Sequence, residues 1–371
     1  MNAEHLYIHV PFCARRCVYC DFSIAVRSKV PVADFVIATA REWDLRHRDS
    51  QFSLDTLYFG GGTPSKLGSE GIARLMDVVT SRAELQPDAE VTLEANPEDV
   101  NPDAAKGWRR SGVNRVSLGV QSFDDAVLTW MHRTHDASTA RLAIEVLREA
   151  DFDNLSIDLI FAAPSQVKRG WERDLETAIE LAVPHVSVYG LTVEPHTPLG
   201  RRVARHDVDE APEERFENEY LVADNALTEA GLEHYEVSNY GRPHRQSRHN
   251  WAYWRRRPYG GLGPSAHEFD GAVRRWNSAP YADWETRVRG GESPTVGSES
   301  LRLDQQTAEE VYLALRTTAG LRLSPDERVH VTPWIEAGWA TMDGEGSMRL
   351  TPTGWLRLDA LASDLTLFRS H

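Results

Sequence analysis

Cysteine is nearly absent: the 371-residue chain has three, all between positions 13 and 20. An odd, clustered set makes a poor disulfide framework and fits a metal role in a reducing compartment better. No apolar run approaches the roughly 18 residues that cross a bilayer. Residues 1–6 lack the basic start and apolar core of a secretory leader, so the expected location is cytoplasmic. Excess positive charge is missing too. The formal net charge is −15, which argues against nucleic acid or an anionic membrane surface as the main partner. Repeats and low-complexity tracts are also lacking. What is there, 41% hydrophobic and 26% charged residues, is the composition of a globular chain long enough to bury a sizeable core.

Short β-rich runs at 6–10, 54–60, 90–95, 113–120, 155–161 and 186–192 alternate with helical periodicity at 32–44, 69–82, 139–150 and 171–181. Such alternation predicts βαβ units and a parallel sheet. Six units are too few for a closed eight-stranded barrel, so the expected α/β fold is a partial (β/α)6 barrel with its chemistry at the carboxyl ends of the strands. Further on come a helix at 213–230, a basic, aromatic stretch at 242–258, a Gly-rich loop at 260–263 and a Gly/Pro linker at 290–297. Helices at 304–318, 332–338 and 353–363, with a hairpin turn at Asp343–Gly344, suggest a small winged-helix-like end. The expected division is 1–240, 241–297 and 298–371. Acidic residues outnumber basic ones in the last part, which disfavours DNA reading.

The cysteines form Cys13-Ala-Arg-Arg-Cys17-Val-Tyr-Cys20, a C-x3-C-x2-C spacing after the first strand. Cysteine thiolates are the usual holders of iron–sulfur clusters, and three of them leave one iron of a [4Fe–4S] cluster open to a cofactor. Structural zinc would need a fourth ligand, and His9, the nearest candidate, lies back along the strand. One βα unit later stands Gly60-Gly61-Gly62-Thr63-Pro64, where glycines let backbone N–H groups approach a ligand. Polar residues mark further strand ends: Glu94, Gln121 and, within an apolar run, Asp158, with Arg133 in the following loop. A carboxylate in such a run must be paired or functional.

With these motifs the chain resembles the radical-SAM superfamily. The resemblance implies a cluster on Cys13, Cys17 and Cys20 and bound S-adenosylmethionine (SAM), with one-electron transfer to the sulfonium releasing a 5′-deoxyadenosyl radical. From residue 7 to about 195 the order of motifs is similar to that of the coproporphyrinogen III dehydrogenase-like branch. On that resemblance Tyr7 and Glu94 serve the first SAM, Tyr19 belongs to the same site, and Gly61, Gly62, Thr63, Gln121, Arg133 and Asp158 lie where the branch contacts SAM.

Two departures point within the branch to the HemW-type haem chaperones. Only twelve residues precede Cys13, and Phe22 stands where the dehydrogenase has a fourth cysteine. The second is His249-Asn250-Trp251-Ala252-Tyr253-Trp254, an HNxxYW motif associated with that type. A neutral His249 can ligate haem iron. The aromatic rings can stack on a porphyrin, and Arg242, Arg245, Arg248, Arg255, Arg256 and Arg257 can pair with propionates. His267 is a second haem-side candidate. The resemblance implies haem as cargo, a haem-acceptor protein as partner and peripheral association with membrane-bound haem enzymes. Three alternatives stay open on the sequence. The first is oxygen-independent decarboxylation of coproporphyrinogen III, and the second is radical chemistry on another substrate. In the third, the aromatic patch is packed in the core beneath a solvated basic rim.

Overall fold

The computed structural model describes residues 2–370. Six strands, β1 (Asn2–Val10), β2 (Gln51–Gly61), β3 (Glu84–Ala95), β4 (Arg115–Gln121), β5 (Leu155–Phe161) and β6 (His185–Gly190), lie side by side in chain order. Every neighbouring pair among them is parallel. The crossovers carry helices α1 (Val32–Arg46), α2 (Gly68–Thr80), α3 (Pro102–Arg110), α4 (Ala137–Glu149) and α5 (Trp171–Glu180), and α6 (Glu213–Glu229) follows β6. This is the expected open (β/α)6 arrangement.

Period-2 alternation explains why the sheet curves around a polar interior. Leu6, Ile8 and Val10 of β1, Leu57 and Phe59 of β2, Val91 and Leu93 of β3, and Val116, Leu118 and Val120 of β4 are buried. They share one apolar core with Phe35, Ile72, Trp108, Ile144 and Leu175 of the helices. Fully burying each such side chain is worth about 1.5–3 kcal/mol. The intervening positions carry His5, Tyr7 and His9, Thr56 and Tyr58, Glu90, Thr92 and Glu94, Arg115 and Ser117, Ser156 and Asp158. Successive strand residues point to opposite faces, so these polar side chains line the inside.

Both sheet edges are extended. Beside β6 lie the antiparallel β7 (Glu233–Glu236) and β8 (Asn239–Gly241). After helix α7 (Arg248–Trp254), β9 (Gly260–Leu262) pairs in parallel with β1 at the other edge. The glycine run expected as a loop is therefore a strand. A Cβ on Gly260 would lie 2.6 Å from Phe52 and one on Gly261 2.0 Å from the His267 carbonyl oxygen, so only glycine admits these close approaches. The sheet order is β9-β1-β2-β3-β4-β5-β6-β8-β7, an open sheet rather than a closed ring.

A second, antiparallel sheet is built from β10 (His267–Phe269), β11 (Val273–Asn277) and β12 (Thr295–Ser300), with α8 (Tyr281–Arg289) between the last two strands. The stretch expected as a linker thus runs from the end of α8 into β12. The C-terminal residues form α9 (Leu303–Leu315), a three-stranded antiparallel sheet of β13 (Leu321–Arg322), β14 (Ala340–Met342) and β15 (Ser347–Leu350), and α10 (Leu358–Arg369). Asp343–Gly344 falls in the hairpin between β14 and β15, as expected, and the helix expected at 353–363 is two, Pro352–Trp355 and α10. Backbone bonds of 3.0 Å from Val237 N–H to Arg316 and from Thr318 N–H to Tyr235 tie this part to β7. Among the described residues no helix is long and apolar enough to cross a membrane.

Candidate functional site

The carboxyl ends of the six parallel strands surround a cavity of about 500 Å³. Its wall contains Cys13, Cys17, Cys20, Tyr19, Gly61, Gly62, Thr63, Glu94, Gln121, Arg133 and Asp158. These are all the sequence-selected SAM and cluster residues except Tyr7. Side chains from 13 to 158 in the chain meet here because most stand at or past the carboxyl end of a strand, while Asp158 points inward from the middle of β5 and Arg133 reaches in from the segment between β4 and α4.

The cysteine loop is tied to its neighbours through its sulfurs. Cys13 Sγ lies 3.3 Å from Thr63 Oγ1, and Arg133 Nη1 donates to Cys17 Sγ at 3.5 Å. The same guanidinium donates to Asn96 Oδ1 at 2.7 Å and to the Gly119 carbonyl at 2.9 Å, linking the ends of β3 and β4 to the loop. Arg133 Nε is buried without a partner. Gly62 runs so close to the loop that a Cβ there would sit 2.6 Å from the Pro11 carbonyl oxygen and 3.1 Å from Cys13 Sγ. Gly61 has φ +114°, and its side-chain space is filled by the His9 ring. Among the described residues no three His, Cys, Asp or Glu side chains converge on a point that would hold a single ion. Three thiols on the wall of one cavity, short of convergence, suit a larger group, and three soft ligands are the donor set of an iron–sulfur cluster with one open iron. The residues present fit such a group. Burial pushes the Cys13 thiol up to about 11 against the lowering effect of Thr63, and burial also raises Cys20; a metal must displace these protons.

Glu94 and Asp158 form the floor. Glu94 accepts from Tyr58 Oη at 2.8 Å and from the Gly61 N–H at 3.0 Å. Burial raises it to about 7, with Asp158 adding to the effect and Tyr58 and Gly61 opposing it. Burial also raises Asp158, opposed by hydrogen bonds from Ser187 and Ser117 and by the Arg115 charge. A buried carboxylate beside backbone N–H groups can receive an ammonium group, which suits the amino end of an amino-acid-like ligand. Sequence reasoning passed over Asn96, Ser117 and Tyr189 on this wall. Asn96 is a polar residue just past a strand end, a signal already in use for Glu94 and Gln121, whereas Ser117 and Tyr189 lie within strands.

Tyr7 stands elsewhere. It lines an adjoining cavity of about 360 Å³ with His9, Phe22, Tyr253, Tyr259 and His267, and this cavity shares Asp21, Phe22, Gly61 and Glu94 with the first. His9 is not a ligand beside the cysteines: its Nδ1 is 3.1 Å from Tyr7 Oη and its Nε2 is 3.0 Å from the Ser23 carbonyl.

The HNxxYW segment is α7, and its rings are packed among neighbouring side chains. His249 is 1% exposed, with Nδ1 2.6 Å from Thr56 Oγ1 and Nε2 2.9 Å from Tyr253 Oη, and its ring stacks on Tyr58 at 5.0 Å. Both ring nitrogens are engaged inside the barrel, so His249 offers no free imidazole to haem iron in this conformation. The N-terminus of α7 is held by Glu90, which accepts from the Arg248 and His249 N–H groups. Trp251 stacks on Tyr235, and Arg316 lies over Trp254 at 4.5 Å. Four of the six arginines are engaged within the chain. Arg245 pairs with Asp153, Arg248 with Asp88, Arg256 with Glu309, and Arg255 lies over Trp251.

The Radical SAM superfamily model matches residues 7–178. The protein named heme chaperone HemW of Mycobacterium tuberculosis strain H37Rv is 35% identical over 367 residues, covering 97% of this chain and 94% of that one. The chain belongs to the HemW family. Its HemW relative from Bacillus subtilis strain 168 is 33% identical over 85% of this chain and 84% of its own. Among solved structures, coproporphyrinogen III oxidase (HemN) from Escherichia coli, a radical-SAM enzyme, superposes with a TM-score of 0.82. It covers 98% of this chain and 90% of its own at 22% identity, which shows a shared fold and nothing more.

Proposed function

We propose that the protein is a haem chaperone: it holds haem and passes it to an acceptor protein. Its barrel would carry a [4Fe–4S] cluster on Cys13, Cys17 and Cys20, with SAM in the first cavity. The observation that carries this reading is the 35% identity to a heme chaperone HemW along 97% of the chain, against a likeness to coproporphyrinogen III oxidase at 22%. Phe22 at the position of the dehydrogenase's fourth cysteine points the same way. When bound, the cluster and SAM supply one-electron chemistry that side chains lack. The chain's own residues would hold the cluster through the three thiolates and present Glu94 to a ligand's ammonium group. A cytoplasmic location, peripheral encounter with membrane-bound haem enzymes and the division at 240 and 297 belong to the same proposal.

Titrating the anaerobically reconstituted full chain with ferric haem tests it, with a saturable Soret shift as the expected result. Absence of saturable binding, or conversion of coproporphyrinogen III to protoporphyrinogen by the same preparation with SAM and a reductant, would overturn it.

A further inference from the structure

The second cavity opens beside the first and shares Gly61 and Glu94 with it, but none of the three cysteines lines it. Tyr7, Tyr253 and Tyr259 supply aromatic walls, Phe22 stands 66% exposed between the two cavities, and His267 is at the rim. His267 differs from the other two imidazoles tied to this region. His9 and His249 have both ring nitrogens hydrogen-bonded, whereas those of His267 carry no hydrogen bond and its ring is exposed. Its ring lies roughly parallel to that of Trp276, 5.9 Å away with an interplanar angle of 25°.

The backbone beneath His267 is constrained. Gly261 is pressed against the His267 carbonyl, and Gly263, at φ +94°, lets the chain pass where a Cβ would be 2.3 Å from the His9 carbonyl oxygen. Next to His267, Glu268 is buried and pairs with Arg46 at 2.7 Å. A ligand side chain held this way is pre-organised rather than mobile.

We infer that haem sits in this second cavity against Phe22, with His267, not His249, as its axial ligand. The inference rests on the haem-chaperone reading and adds to it the place and the ligand. Neutral imidazole is a usual haem ligand, and flat aromatic surfaces suit a porphyrin. A cavity of about 360 Å³ grips one edge of a tetrapyrrole and leaves the rest over Phe22, open to solvent. That is the exposure a carrier needs in order to hand its cargo on. Sharing Gly61 and Glu94 with the cluster cavity places the haem next to SAM.

The test is ferric-haem titration of the reconstituted full chain by absorbance and electron paramagnetic resonance. The wild type should bind saturably with an imidazole-ligated spectrum. His267→Ala should weaken binding by about tenfold or more and lose that spectrum, and added imidazole should restore it. His206→Ala, which alters an exposed imidazole outside both cavities, should behave as wild type, and Phe22→Ala should weaken binding with the ligation unchanged. Saturable wild-type binding that His267→Ala leaves unaltered overturns the inference and spares the chaperone reading. So does a His267→Ala loss that imidazole fails to rescue. No saturable binding by the wild type overturns the chaperone reading itself, and the inference with it.

Discussion

Replacing Glu42 by Gln would set an amide nitrogen against two N–H donors whichever way the new side chain turned. Glu42 lies on α1 at 0% exposure. Its Oε1 accepts from Arg46 Nη1 and Asn277 Nδ2, both at 2.5 Å, and its Oε2 accepts from the Gly263 N–H at 2.7 Å and Trp284 Nε1 at 2.9 Å. Each buried donor left unpaired costs about 1–3 kcal/mol, and losing one charge of a buried pair costs about 3–5 kcal/mol. Arg46 keeps Glu268 and the Gly261 carbonyl, and the two penalties overlap, so the expected destabilisation of Glu42→Gln is about 3–5 kcal/mol. The loss should also be local. Gly263, Asn277 and Trp284 flank the segment that carries His267, so amide hydrogen exchange over residues 261–284 should quicken more than over β3 to β5. Urea denaturation and exchange mass spectrometry measure the two effects. A stability change within about 0.5 kcal/mol of zero, the usual range for innocuous surface changes, together with unchanged exchange in that segment, would refute the reasoning.

Gly62→Ala forces a Cβ to within 3.1 Å of Cys13 Sγ and 2.6 Å of the Pro11 carbonyl, so iron after reconstitution should drop well below about four per chain; unchanged iron content would contradict the close approach. Arg133→Met removes the charged links to Asn96, Gly119 and Cys17. SAM affinity, measured by equilibrium binding, should weaken roughly tenfold, and wild-type affinity would show that the link does not shape the site. For pH dependence the relevant group is His249, which burial, aided by His5 and Arg115, lowers from 6.5 to about 3. The unfolded chain takes up that proton near 6.5 and the folded one only near 3, so the contribution to stability is complete above 6.5 and is lost as pH falls toward 3. His249→Gln should flatten the slope by up to about 1.4 kcal/mol per pH unit, and equal slopes for the two proteins below pH about 6.5 would falsify the assignment.

The residues around the cysteines were legible in the sequence because their signals are local. A three-cysteine spacing, a glycine run and polar residues at strand ends each occupy a few positions, and parallel βα order brings such ends to one place. The course of residues 260–263 was not legible. Gly260 pairs with Leu6, and the reason for glycine is a carbonyl at His267 and a ring at Phe52, contacts that no local pattern announces. Glu42 was hidden for the same cause: on an amphipathic helix a carboxylate reads as solvated until Asn277 and Trp284 are known to face it.

His249 shows what a local pattern leaves out. The partner of its Nδ1, Thr56, lies 193 positions away, so the sequence could show the imidazole but not that it was already occupied. The spacing did hold the answer in part. On a helix, 249 and 253 share a face, and here that face meets Thr56, Tyr58 and Tyr259 inside the barrel, while Trp251 meets Tyr235 and Trp254 meets Arg316. A barrel whose inner strand positions are His, Thr, Tyr, Glu and Arg cannot be filled by an apolar plug without stranding those groups. It needs a helix that brings hydrogen-bonding rings, and His-x-x-x-Tyr does so. The motif's polar atoms are then spent on the interior, which leaves iron ligation to an imidazole such as His267 whose nitrogens the fold has not used.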